Sequence, residues 1–135
     1  MAATKTTYVE GLGRRKTSTA RVRLTPATAT EITVNGKPMK EYFGNLSHQK
    51  DVMSVLETPD AGIEHYTITA KVLGGGISSQ AESIRLGIAR ALVKEKAERR
   101  SPLKASGYLK RDPRSVERKK FGLRKARKRP AWSKR

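Results

Sequence analysis

Apolar positions alternate along some stretches of this chain and recur every three or four residues along others, and the two rhythms divide it into elements. Thr6–Glu10 is β-prone around Tyr8 and Val9, and Gly11, Gly13 and the cluster Arg14-Arg15-Lys16 are expected to interrupt it. Thr19–Leu24 alternates, with Ala20, Val22 and Leu24 on one side and Arg21 and Arg23 on the other. That pattern predicts a half-buried strand with a basic outer face. Glu31–Val34 reads as a short strand, followed by Asn35-Gly36, a pair suited to a turn with positive φ. Pro38–Phe43 resembles one helical turn, and Ser47–Leu56 a short helix with Val52, Val55 and Leu56 on one face. Ile63–Leu73 is the longest predicted strand, and Gly74-Gly75-Gly76 ends it. The strongest helix runs from Gln80 to about Glu98, with Ala81, Ile84, Ile88, Ala91 and Leu92 at spacings of three and four. Ser79 and Glu82 have the spacing of a capping box, Ser101-Pro102 a stop signal. Gly107 and Asp112-Pro113 mark further breaks.

The predicted order, β-β-β-α-β-α, implies an α+β fold: a small sheet with two helices packed on one face. A chain of 135 residues can build one modest core. Residues 1–109 are expected to form it, as a globular domain, and residues 110–135 an extended basic tail.

Charge supports that division. The net charge is +18, and residues 110–135 hold thirteen basic against two acidic residues, Asp112 and Glu117. Like charges repel, and Phe121, Leu123 and Trp132 are too scattered to form a core. Such a segment needs a large anionic partner, most often nucleic acid. The arm lacks the apolar face of an interfacial helix, so an anionic membrane is the weaker expectation. There is no cysteine, which excludes disulfides and Cys-ligated metal sites. No apolar run approaches the roughly 18 residues of a bilayer span, and the first residues show no apolar signal region. The expected location is the cytoplasm.

Candidate binding residues follow from the same reading. Arg14, Arg15 and Lys16, in a loop between two strands, can clamp phosphate oxygens, and Arg21 and Arg23 extend that basic surface. The alternative is a solvated charged turn. The loop Gly74–Ser79 leads from a strand into a helix, where free N–H groups favour an anion. Three roles are open to it: RNA phosphate contact, the nucleotide loop of a GHMP-type small-molecule kinase, or a tight turn. It matches neither GxxxxGK[ST] nor GxGxxG. His48 and His65 have no second ligand at metal spacing and read as structural, His48 with Asp51 as a possible helical pair. Nothing supports a catalytic residue, a metal or a cofactor. In the arm, Phe121 is expected to pack on the body where the arm departs, and Trp132 to stack on a base. Gly122 and Pro130 break any continuous helix there.

The chain resembles the family of bacterial-type small-subunit ribosomal protein nine, from about Tyr8 to Arg135. The motifs that carry the resemblance are Tyr8-Val9-Glu10-Gly11-Leu12-Gly13-Arg14-Arg15-Lys16, Val34-Asn35-Gly36, Gly74-Gly75-Gly76-Ile77-Ser78-Ser79-Gln80-Ala81, Arg85-Leu86-Gly87-Ile88-Ala89-Arg90, Arg111-Asp112, Glu117-Arg118-Lys119-Lys120 and the closing Ser133-Lys134-Arg135. It departs from the family pattern at Leu12, Ser79 and Pro130-Ala131-Trp132. The resemblance implies a fold like the second domain of ribosomal protein S-five, with a left-handed β-α-β crossover, and no enzymatic activity. It implies binding to small-subunit (16S-type) rRNA in the head, beside neighbouring head proteins. The body would use Arg14, Arg15, Lys16, Arg21, Arg23, Gly74, Gly75, Gly76, Ser78, Ser79 and Gln80. The arm would use Arg111, Arg114, Arg118, Lys119, Lys120, Arg124, Lys125, Arg127, Lys128 and Arg129. Ser133, Lys134 and Arg135 would approach the anticodon stem-loop of P-site tRNA.

Overall fold

The computed structural model describes residues 7–134. Arg135, expected at the tRNA, and Thr6, expected in the first strand, lie outside them. The elements are β1 (Val9–Arg15), β2 (Ser18–Pro26), β3 (Glu31–Val34), β4 (Lys37–Pro38), α1 (Met39–Tyr42), α2 (Leu46–Met53), β5 (Tyr66–Leu73), α3 (Ile77–Glu95), a single 3₁₀ turn Ala97–Arg99 and α4 (Arg100–Ala105). The sheet order is β1-β2-β5-β3-β4. β3 and β5 run parallel, joined through α1 and α2, and the other pairings are antiparallel. This is an α+β architecture.

Alternation along the strands decides which face is covered. In β5, Tyr66, Ile68, Ala70 and Val72 are buried while Thr67, Thr69, Lys71 and Leu73 are exposed. Ala20, Val22 and Leu24 of β2 and Ile32 and Val34 of β3 join the buried set. α3 lies across this face against β1, β2 and β5, and α2 packs beside it. Among the described residues the opposite face of the sheet is left uncovered. The strand begins at Tyr66, so Ile63–His65 of the expected strand lie outside it.

Gly11 and Gly13 do not interrupt β1, as the sequence suggested; they lie within it. A Cβ on Gly11 would stand 2.2 Å from the Gly87 carbonyl oxygen, and one on Gly13 1.7 Å from that of Ser83. From the helix side, a Cβ on Gly87 would stand 2.7 Å from Val22 Cγ2. The glycines therefore let α3 lie directly on the edge of the sheet, a packing role rather than a turn role.

The ends of α3 also differ from expectation. The N-cap is Gly76, with no side-chain cap; Ser79 sits inside the first turn, and Glu82 bonds to Arg15 instead of closing a box. Gly74 and Gly75, at φ 75° and 67°, turn the chain early enough for the helix to begin at Ile77. The helix ends at Glu95, where Lys96 is extended. Ser101 and Pro102 lie inside α4 and do not act as a stop. Pro102 is tolerated in the first turn, where a backbone N–H would have no partner within the helix. Arg99 is 2% exposed beneath this corner, bonded to Glu95 and the Tyr66 hydroxyl at 2.7 and 2.9 Å and to the Gly62 carbonyl. Burial, with the Glu95 hydrogen bond next, pushes the Tyr66 phenol above its ordinary pKa.

Gly107, at φ 80°, ends α4. Gly107 N–H donates to Lys104 and Tyr108 N–H to Leu103, the paired bonds of a Schellman motif. The chain then turns back over α3. Tyr108 and Leu109 pack against the core, and residues 110–134 form no helix or strand.

Candidate nucleic-acid interface

The β1–β2 hairpin ends in a tight turn at Lys16, whose φ is 52°. The cluster Arg14-Arg15-Lys16 is thus not a loop presenting three cations together. Arg14 and Lys16 are exposed, whereas Arg15 follows Gly11 and Gly13 onto the covered face, because side chains in a strand alternate. Its side chain is 10% exposed and paired with Glu82 of α3 at 2.5 Å. Arg15 also donates to the Arg114 carbonyl at 2.6 Å and pairs with Asp112 at 3.3 Å. The expected phosphate contact is here an internal clamp that ties the arm to the body.

Asp112 completes that clamp. Its carboxylate takes the Arg114 backbone N–H, Nε and a terminal guanidinium nitrogen. These bonds hold the Asp112 pKa well below the usual carboxylate range. The root of the arm therefore lies along α3 and ends at the hairpin, with Leu109 beside Arg90, Val93 and Lys94, and Tyr108 beside Arg85.

The glycine loop meets the same end. A Cβ on Gly74 would stand 2.6 Å from the Thr17 carbonyl oxygen, and one on Gly75 2.9 Å from Ser18 Cβ. Gly74 and Gly75 therefore seat the loop on the hairpin. Gly76 has open space around it, and Gly76 and Ser78 are exposed. Ser79 is 7% exposed and faces inward, against the expected phosphate contact. Gln80 accepts from the Tyr42 hydroxyl at 2.6 Å and donates to the Gly74 carbonyl at 3.0 Å. Asn35 continues the relay: its amide bonds both backbone groups of Val72 and lies 3.5 Å from the Tyr42 hydroxyl. The positive φ of Asn35, 50°, was legible; its side chain extending the ladder between β3 and β5 was not.

Arg21 and Arg23 lie on the open sheet face as expected, but both bond Glu10, at 2.7 and 3.1 Å. The bond from Arg21, then that from Arg23, lowers the Glu10 pKa. One carboxylate between two guanidinium groups leaves one positive charge uncompensated. Arg23 also stands 4.5 Å over the Tyr8 ring. Lys71, opposite Arg21 in the ladder, adds a cation that sequence reasoning did not nominate. Its place between Ala70 and Val72 was the available signal.

Beyond Arg114 the arm has one organised turn. Glu117 pairs with Lys120 and, at 3.1 Å, with Arg127. Gly122 has φ 73°, Leu123 N–H reaches the Lys120 carbonyl, and Arg124 N–H bonds the Lys128 carbonyl at 2.8 Å. Among the described residues the Arg118 side chain bonds the Lys119 carbonyl. Arg111, Lys119, Arg124, Lys125, Lys128, Arg129 and Lys134 are exposed, without a carboxylate partner among the described residues. Ser133 is exposed. Phe121 is 98% exposed and does not pack on the body, lying in the part of the arm that forms no helix or strand; Trp132 is 86% exposed.

The histidines serve the body. The His65 ring meets the Thr30 hydroxyl at 3.1 Å, and the His48 ring tilts against Phe43. His48 and Asp51 share no bond among the described residues.

The chain is similar to known proteins along nearly its whole length. The family described as ribosomal protein S9/S16 matches residues 13–135. Small ribosomal subunit protein uS9 of Gloeothece citriformis is 53% identical over 127 residues, covering 93% of this chain and 90% of that protein. The uS9 protein of a Cyanothece species is 50% identical over 134 residues, covering 97% and 94%. That of a Synechocystis species is 50% identical over 127 residues, covering 93% and 90%.

Proposed function

The chain belongs to the ribosomal protein S9/S16 family, and from that premise we propose that it is a constituent of the small ribosomal subunit that binds rRNA of the head through its body and its basic arm. The family is structural, and the chain is not an enzyme. The kinase reading of the glycine loop falls with that, and the loop's packing on the hairpin gives Gly74 and Gly75 another purpose.

The observation that carries the proposal is convergence. Arg14, Lys16, the exposed Gly76 and Ser78, and the start of the arm meet at one end of the domain, drawn together by Arg15. An RNA backbone crossing that end meets exposed cations first and the arm next. The arm's unpaired cations suit phosphates crowded between rRNA helices, where each neutralised phosphate releases a counterion. In this reading residues 1–109 are the body, with the left-handed crossover of its family, and residues 110–135 the arm, whose first five residues are tied down. Ser133, Lys134 and Arg135 form a tip directed to the anticodon stem-loop of P-site tRNA, and head proteins of the subunit flank the body. The site of action is the ribosome in the cytoplasm.

The experiment is competition between a head-domain fragment of small-subunit rRNA and duplex DNA of equal length, across a salt series. The expected result is preference for the rRNA and a log–log salt slope several units negative. Equal affinity for both would make the protein a general nucleic-acid condenser. For the tip, ending the chain at Trp132 is expected to leave assembly intact and weaken P-site tRNA retention. Loss of assembly, with normal tRNA retention in whatever subunits form, would contradict that division.

A further inference from the structure

We propose that the cleft between the outer side of α3 and the root of the arm is a seat for one RNA backbone phosphate, held by Arg85 and Lys110. The inference rests on the RNA-binding reading and adds to it two residues that the sequence reading did not nominate for binding.

The cleft measures about 450 Å³ and is lined by Arg85, Gly107, Lys110, Asp112, Pro113 and Arg114. A smaller recess beside it reaches Arg15, Glu82 and Tyr108. Its carboxylates are already matched. Glu82 is held by Arg15, and Asp112 by Arg114 and Arg15. Arg85 and Lys110 have no carboxylate partner among the described residues, so the positive charge left in the cleft is theirs.

The geometry suits a phosphate. The Arg85 guanidinium stands 5.8 Å from the centroid of the Tyr108 ring. Contact with the ring face steadies the guanidinium while its N–H edges stay available to oxygen. Lys110, exposed, lines the same cleft and adds an ammonium. Gly107 presents no side chain, and a Cβ there would meet nothing within 4 Å, so the entrance is open. The position favours RNA over an acidic peptide. The cleft adjoins Arg114, where the free arm begins, so a backbone following the arm passes it.

The test uses the full chain with Arg85→Gln and Lys110→Gln together, which remove charge and keep bulk. Affinity for the head-domain rRNA fragment is measured from about 0.05 to 0.3 M salt, beside thermal melting. The expected result is binding about ten-fold weaker at low salt and a slope shallower by about one to two units, with unchanged melting. Unchanged affinity and slope at unchanged melting overturn the proposal. If the pair lowers the melting temperature, because Arg85 leaves Tyr108, the single exposed Lys110→Gln decides. A slope shallower by about one unit supports the seat, and the wild-type slope overturns it. A flat slope in the wild-type chain would sink the RNA-binding reading itself; a steep slope that the variants leave alone sinks only the cleft.

Discussion

The body and the arm use the same two residue types for opposite ends. In the body, Gly11 and Gly13 are tight against α3, and Arg15 is buried among Glu82, Asp112 and the Arg114 carbonyl. In the arm, a Cβ on Gly122 would meet nothing within 4 Å, and Arg124 and Arg129 meet no carboxylate among the described residues. The difference teaches that a basic motif is not by itself a contact surface. What decides is the face on which the backbone puts each side chain and whether a carboxylate waits there. Arg15 shapes the protein, whereas Arg124 and Arg129 are left over for a partner.

Glycine gives the largest test of that contrast. Gly13→Ala places a methyl 1.7 Å from the Ser83 carbonyl and must push α3 off the sheet. A loss of about 3 kcal/mol or more in chemical unfolding is expected. Gly122→Ala meets only local strain at φ 73° and is expected to leave global unfolding unchanged. Equal effects at the two sites would erase the distinction.

The arginines come next. Arg15→Met strands Glu82 and unties the root of the arm, with an expected cost of about 2–3 kcal/mol. Limited proteolysis should then cut near Lys110 and Arg111, sites the clamp protects in the wild type. Arg124→Met is expected to change neither stability nor cleavage in the body, and to weaken only RNA binding. If Arg15→Met instead weakens RNA binding without loss of stability or new cleavage, Arg15 is a phosphate contact after all.

The smallest effect concerns pH. The folded pKa of Asp112 is depressed, so its contribution is present above the unfolded value, about 3.9, and is lost as pH falls through the lower folded value. The Asp112 carboxyl, followed by NMR, should titrate below the ordinary range and should rise toward it in Arg114→Gln, which keeps the backbone N–H bond and the Arg15 pairing. An ordinary midpoint in the wild type would mean that the root is not clamped.

Much of this was legible in the sequence, and the misses share a cause. The alternation of β2 and β5 fixed which side chains are buried, since a half-covered sheet has one period. Asn35-Gly36 announced its turn, and the charge excess announced the arm. Gly11 and Gly13 were misread because a glycine that breaks a strand and one that admits a helix look alike without the helix. Arg15 was misread for a related reason: with the strand ended early, its alternation onto the covered face was lost. Ser79 and Glu82 had the spacing of a cap, but Gly74 and Gly75 started the helix sooner. Arg85 and Lys110 stand 25 positions apart in the chain, and only the Gly107 turn brings their surroundings into one cleft.

The central claim is that the arm's charges are held in reserve for RNA phosphates. Its most direct test compares salt slopes for the full chain and for one ending at Arg114, on the same head-domain rRNA fragment. The account predicts a slope shallower by roughly four units or more in the shortened chain, with unchanged melting of the body. Equal slopes for the two chains would contradict it.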